Sequence, residues 1–179
     1  SSTFLSARIS AITGSLSTYQ TNDAIQYFFD ELYDCLPSDS HVLIAGRNPT
    51  DKVISLCAQH SNVTLIPNPD NINDVLADVD IYLCATRIGG GLKLRVMDGL
   101  KNGIPVITHV CSARGFDAFY DLDVFKVYSS PEEFKNAVDS IIFNLAHDRF
   151  DRNSIKHIYR DNFSYEAGLK RMRLFLSNI

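Results

Sequence analysis

Gly89, Gly90 and Gly91, followed by Lys93 and then by a carboxylate at Asp98, are the residues best suited to chemistry in this chain. Glycine has no Cβ, so its backbone reaches positive φ and can press main-chain N–H groups close to a ligand. The β-type run Asp80 to Ala85 precedes these glycines. A helix-type pattern, Lys93 to Asn102, and a second β-type run, Ile104 to Thr108, follow them. Strand, glycine loop, helix, strand is the unit that builds phosphate sites in parallel α/β sheets. The first turn of a helix carries unpaired N–H groups and partial positive charge. A lysine there is unfavourable for the helix dipole, which argues for an anion nearby. Taken alone, the glycines read equally well as a surface turn beside a solvated lysine, because such loops are common.

The elements around the loop can be placed. Gly103 suits the left-handed position after a helix, and Pro105 cannot continue one. Gly99 inside the helix costs about 1 kcal/mol relative to alanine. It implies either close helix–strand packing or room for a ligand beside Asp98. Asp98 could equally pair with Arg95 or Lys101, a surface contact worth roughly 0–1 kcal/mol.

Upstream, residues 8–14 read as a strand ending on Gly14. A polar turn, SLSTYQTND, follows, then a helix over AIQYFFDELYDCL with Ile25, Phe28, Phe29, Leu32 and Leu36 on one face, capped by Asn22 or Asp23. Strands are expected at 41–46, 62–67 and 79–85, and helices at 51–60 and 71–76. Downstream, a loop VCSARGFDAF leads to a strand at 124–127. A helix opens at Pro131 and runs to about Leu145, and two more span 151–161 and 165–177, the last capped by Ser164. The strand runs are short and apolar without clean alternation, as in strands buried on both faces. Alternation with helices predicts an α/β, doubly wound parallel sheet of about six strands, helices on both faces and helices at the C-terminus. Ligands bind outside the carboxyl ends of such strands, where Gly14, Gly46, Arg87 to Gly91 and His109 fall.

A length of 179 residues fits one domain, with 45% hydrophobic residues to fill its core. A net charge of −4 without a basic run disfavours nucleic-acid binding. No apolar stretch is long enough to cross a membrane. Cys35, Cys57, Cys84 and Cys111 show no Cys-x-x-Cys pair, so reduced thiols and a cytoplasmic location are expected and a zinc site is not. The start, SSTFLSARIS, has neither a leader shape nor an initiator methionine, so a piece of a longer protein is expected.

The segments ITGSLSTYQTNDAIQYF, VLIAGRNP, NVTLIPNPDNINDVLADVDIYLCATRIGGGLKLRVMDGLKNGIPVITH, SARGFDAF and FSYEAGLKRMRLFL occur in that order. Together they resemble the C-terminal, nucleotide-sugar-binding domain of GT-B glycosyltransferases of the family 4 (group 1) type. Neither G-x-G-x-x-G nor a P-loop pattern is present. The resemblance covers nearly the whole chain and implies a Rossmann-like donor domain, residues 1–179, whose partner is an N-terminal acceptor domain of the same protein.

Carried over residue by residue, the resemblance gives Asp98 the place of the second glutamate of the family's paired motif, which binds the donor ribose. The first glutamate would fall near Gly90, where loop N–H groups face the donor instead. Gly14 and Ser15 match the loop that approaches the diphosphate, and Ile66 with Pro67 the edge beside the base. The usual basic pair after the first strand is missing, so Lys93, then Arg87, are the phosphate candidates. Arg114 either contacts phosphate or caps its loop. His109, at a strand end, is either structural or a phosphate or sugar contact. Tyr27, Phe28 and Phe29 are expected in core and helix face.

The implied chemistry is transfer of a sugar from a UDP- or GDP-sugar, with retention, no metal and no further cofactor. Fixed N–H groups, the helix N-terminus and a cation would carry the leaving-group charge. Asp78-Val79-Asp80 and Asp121-Leu122-Asp123 spell a metal motif but read as turns. A degenerate, non-catalytic donor module that regulates or scaffolds a partner transferase is the alternative. A dinucleotide-dependent oxidoreductase, supported by fold class alone, ranks last. The catalytic base is expected in the other half, the isolated chain is expected to be inactive, and any membrane contact is expected to be peripheral and through that half.

Overall fold

The computed structural model describes residues 8–91 and 93–177; the expected domain limits at 1 and 179 lie outside them. Six strands form one parallel sheet: β1 (Ile9–Ser15), β2 (His41–Arg47), β3 (Val63–Pro67), β4 (Ile81–Cys84), β5 (Val106–His109) and β6 (Phe125–Tyr128). Their spatial order is β3-β2-β1-β4-β5-β6. The order reverses between β1 and β4, and that switch point opens a crevice at the strands' carboxyl ends. The expected doubly wound sheet is therefore the observed one.

The two faces of the sheet carry separate apolar layers. Ile12, Ile44, Ile81, Leu83 and Ile107 point to one, where α1 (Tyr19–Tyr27), α2 (Asp51–Ala58) and α6 (Pro131–Ala146) bury Ile25, Val53 and Val138. Ala11, Tyr82, Cys84 and Val106 point to the other, against α3 (Ile72–Leu76), α4 (Val96–Lys101), α5 (Val110–Ala113) and α7 (Arg152–Phe163). Period-two alternation inside an all-apolar strand is what a sheet covered on both sides requires. The last helix, α8 (Tyr165–Ser177), follows Ser164, whose hydroxyl accepts from the Ala167 N–H at 3.1 Å. All four cysteines are free thiols, with Cys57 and Cys84 buried. No helix among the described residues is long and apolar enough to cross a membrane.

Three local expectations are corrected. α1 begins at Tyr19, inside the stretch expected as a polar turn, because Thr18 is extended and its hydroxyl accepts from the Thr21 N–H. Asn22 does not cap; its amide turns back to the carbonyls of Leu16 and Thr18 at 2.8 and 2.9 Å. The helix expected to run unbroken to Leu36 instead changes hydrogen-bond register. Phe28–Leu32 make one wide turn and Tyr33–Cys35 one tight turn, keeping Phe28 and Leu32 buried. The loop 110–119 contains α5 and a tight turn at Asp117–Phe119.

α4 is also shorter than expected at its front. Val96, Met97 and Asp98 donate three residues back, to Lys93, Leu94 and Arg95. The helix proper thus starts at Val96, and six residues sum to only a small dipole. Its other end follows the glycine rule. Gly103 has φ 74°, its N–H donates to Leu100 and that of Ile104 donates to Gly99, the paired bonds of a left-handed cap. Gly99 is explained by packing: an added Cβ would lie 2.6 Å from Val106 Cγ2 and 2.9 Å from Tyr82.

Candidate functional site

Two adjoining cavities open at the switch point. The larger, about 630 Å³, takes its walls from the ends of β1 and β2 (Thr13 to Ser15, Gly46 to Asn48), from residues 69–72, and from Arg95 and Asp98. The smaller, about 360 Å³, lies between α1 (Gln20, Thr21) with its cap Thr18 and the stretch after β4 (Thr86, Lys93, Leu94). Arg95 lines both.

Arg95 was not singled out by sequence except as a partner for Asp98. Its guanidinium donates to Thr21 Oγ1 at 2.9 Å and to the Thr13 carbonyl at 3.4 Å. Among the described residues no carboxylate forms a salt bridge with it. A half-buried cation satisfied only by neutral oxygens leaves an electrostatic vacancy that an anion would fill. Room for it comes from Gly14, where a Cβ would lie 1.8 Å from Arg95 Nη1. Gly14 in turn stands opposite Gly46 in the ladder, where a Cβ would lie 1.6 Å from the Gly14 carbonyl oxygen. Close approach therefore demands glycine at both strand ends.

Asp98 faces the larger cavity with no salt-bridge partner among the described residues, neither Arg95 nor Lys101. Burial raises its carboxyl above the ordinary value; the charges of Lys101 and Arg95 oppose that shift. A carboxylate held at a desolvation cost in a cleft is a mark of functional use.

The glycine loop behaves as its residue types require. Gly89 and Gly91 have φ 92° and 78°, and all three glycines are exposed. Nothing lies within 4 Å of a Cβ added at Gly90 or Gly91, so packing does not explain those two. Lys93 Nζ reaches back to the Gly90 carbonyl at 3.4 Å.

The remaining predicted residues stand elsewhere. Arg87 is bound to Asp23 through two bonds of 3.0 and 3.2 Å and lies 4.4 Å above the Tyr27 ring. Ile66 pairs with Ala45 inside the sheet, and neither it nor Pro67 lines a cavity; residues 69–72 take the rim instead. Arg114 is exposed after α5 and lines neither cavity. Among the described residues no three His, Cys, Asp or Glu converge as metal ligands.

His109 is buried, edge-on to Tyr27 and to Tyr128, with ring centroids 6.0 and 5.3 Å away. Its Nδ1 accepts from the Cys111 N–H at 3.2 Å, which puts the neutral ring's proton on Nε2 and caps α5. Burial lowers its pKa below the ordinary 6.5, and the Arg87 charge lowers it further. A histidine with a depressed folded pKa stabilises the fold fully above 6.5. That contribution is lost as pH falls from 6.5 towards the folded value, because only the unfolded chain takes the proton there. We therefore expect the melting-temperature gap between the parent chain and His109→Asn to narrow from pH 7.5 to about 5.5. A gap that stays constant or widens would contradict this environment.

The chain matches the family described as glycosyl transferases group 1 over residues 8–144. No curated protein sequence matches it. Its fold is similar to that of HepE from Anabaena, solved with UDP and glucose, at 13% identity and a TM-score of 0.69 over 97% of this chain and 49% of that one. A variant of TarM from S. aureus, solved with fondaparinux, alpha-GlcNAc-glycerol and UDP, gives 12% identity and a TM-score of 0.72 over 93% and 35%. The pneumococcal O-GlcNAc transferase GtfA, solved with UDP and GlcNAc, gives 16% and 0.61 over 96% and 36%. The chain thus spans half or less of the length of each, and the likeness is one of fold.

Proposed function

The chain belongs to the group 1 glycosyl transferases, and from that premise we propose that it is the donor half of a sugar transferase, binding a UDP- or GDP-sugar across the two cavities. The observation that carries this reading is Arg95, a cation at the junction of both cavities that forms no salt bridge among the described residues. The nucleoside occupies the larger cavity, with its ribose hydroxyls donating to Asp98 and its base at the rim of Asn48 and residues 69–72. The diphosphate crosses Arg95. The sugar end enters the smaller cavity beside Lys93 and the glycine loop.

As the bond between sugar and diphosphate breaks, negative charge grows on the departing phosphate. Arg95, Lys93 and loop N–H groups are fixed in place to stabilise it, so the arrangement does not call on a metal. Transfer is to an acceptor held by the other half, with retention at the sugar carbon, as is usual in the family. The chain alone therefore binds donor with little or no turnover. The alternative, a non-catalytic donor module, draws on Gly90 and Asp98 standing where the family carries two glutamates, and on Arg87 being tied to Asp23.

Calorimetric titration of the chain with UDP, GDP and their sugars tests the reading. Saturable binding of at least one is expected, and no heat with any of them would end it. Asp98→Asn separates function from stability. Because its raised pKa means that the ionised carboxylate burdens the fold above that pKa, the neutral variant should hold or raise the melting temperature at pH 7. Donor affinity should fall about 10- to 100-fold, the loss of a charge-assisted hydrogen bond. Undiminished transfer by Asp98→Ala in the full-length protein would favour the non-catalytic module.

A further inference from the structure

The geometry points to Arg87 as a positioning residue: with Asp23 and Tyr27 it forms a clasp that holds the glycine loop against α1, and it is not a phosphate ligand. This inference deepens the proposed donor reading, since the clasp links the two elements that wall the smaller cavity assigned there to the sugar end. It rests on contacts that do not themselves depend on that reading.

Beyond the Lys93 Nζ contact with the Gly90 carbonyl at 3.4 Å, the loop has little else to fix it. Among the described residues no backbone N–H or carbonyl of 87–91 pairs with another backbone group. Three glycines in succession carry the largest backbone entropy of any residue type. Just before them, the Ser112 hydroxyl donates to the Thr86 carbonyl at 2.5 Å. The next tie is the Arg87 side chain, which crosses to α1 and meets both Asp23 carboxylate oxygens in a planar fork. Its guanidinium rests on a Tyr27 ring that is 5% exposed and is braced edge-on by His109, itself braced by Tyr128. The platform is therefore fixed from behind, and a fork over an aromatic face is a task that lysine does not replace.

The clasp joins opposite walls. α1, with its cap, supplies Thr18, Gln20 and Thr21 to the smaller cavity, and the stretch after β4 supplies Thr86, Lys93 and Arg95. Releasing it would let the glycine loop and Lys93 drift from α1 while leaving the strand ends of the larger cavity in place.

The test compares Asp23→Asn, Arg87→Gln and the double variant in the 179-residue chain. Backbone order parameters of Gly89 to Gly91 are measured without ligand. Both single variants should drop these amides to below about 0.6, and the double should be no worse than either single, since each removes the same tie. Unchanged order parameters, or effects that add, would overturn the clasp. The second readout is affinity for UDP and GDP. A clasp predicts that Asp23→Asn weakens the diphosphate roughly threefold to tenfold through lost preorganisation. A phosphate-binding Arg87 predicts the opposite sign, because Asp23→Asn would free the guanidinium for the ligand; unchanged or tighter binding would overturn the proposal. Should the parent chain bind no nucleotide, the donor reading fails while the order parameters still decide the clasp.

Discussion

Arg95→Ala is expected to weaken binding of a nucleoside diphosphate by about 10- to 150-fold, the loss of hydrogen bonds to a charged group worth roughly 1.5–3 kcal/mol. Affinity for the bare nucleoside should barely change, because the proposed placement sets the phosphates on Arg95 and the ribose on Asp98. The guanidinium stands 2.9 Å from Thr21 Oγ1 and forms no salt bridge among the described residues, so removing it breaks no ion pair and the fold should survive. Arg95→Lys should recover only part of the loss, since an ammonium keeps the charge and forfeits the planar fork. Titration calorimetry with nucleoside, monophosphate and diphosphate checks the pattern. Equal losses for all three would mean that Arg95 shapes the cavity and does not bind phosphate.

Gly46→Ala carries the largest expected cost in stability. The new Cβ would lie 1.6 Å from the Gly14 carbonyl oxygen, and both residues belong to the ladder that joins β1 to β2. Neither backbone can retreat without breaking register. Overpacking usually costs 1–3 kcal/mol, and a backbone clash of this kind should reach about 3 kcal/mol or more. For a chain of this size that lowers the melting temperature by roughly 6–12 °C. Gly14→Ala provides the contrast. Its Cβ would meet the far end of Arg95, 1.8 Å from Nη1, and a side-chain tip can swing away. That variant should melt near the parent and yet bind diphosphate about as poorly as Arg95→Ala. Thermal melts beside titrations distinguish the two glycines; similar melting temperatures would refute the steric account of Gly46.

Much of the architecture was legible because the apolar runs in strands such as Val42–Ile44 and Ile81–Leu83 admit only one environment, buried on both faces. Element ends were less legible where side chains compete for backbone groups. Thr18 won the cap of α1 while the Asn22 amide turned back to the Leu16 and Thr18 carbonyls and its Oδ1 accepted from Thr50 Oγ1, a tertiary contact no local pattern contains. The front of α4 depends on how the chain leaves Gly91 in a left-handed conformation.

Within the site, the glycines, the carboxylate and Lys93 were easier to place from sequence than the two arginines. Gly14, Ser15 and Asp98 do line the larger cavity and Lys93 the smaller. Arg87, the second phosphate candidate after Lys93, is claimed by Asp23 on α1. Arg95 looked like a helix-surface residue. Its place is set by Thr13 and Thr21, far away in sequence and brought near by the pairing of β1 with β4. The available signal was a glycine at the end of β1 with no packing reason visible in the sequence itself. Ile66 stands inside β3, and the chain continues past Pro67 before turning over the larger cavity, so that cavity's rim falls at 69–72.

The central claim, that a nucleoside diphosphate lies across Arg95 between the two cavities, is tested most directly by a two-dimensional amide NMR titration of the chain with UDP and with GDP. The account predicts saturable shifts in one titration or both, concentrated at Gly14, Ser15, Gly46, the glycine loop and Asp98, with Gly168 on α8 unmoved. Shifts confined to other surfaces, or none at millimolar nucleotide, would contradict it.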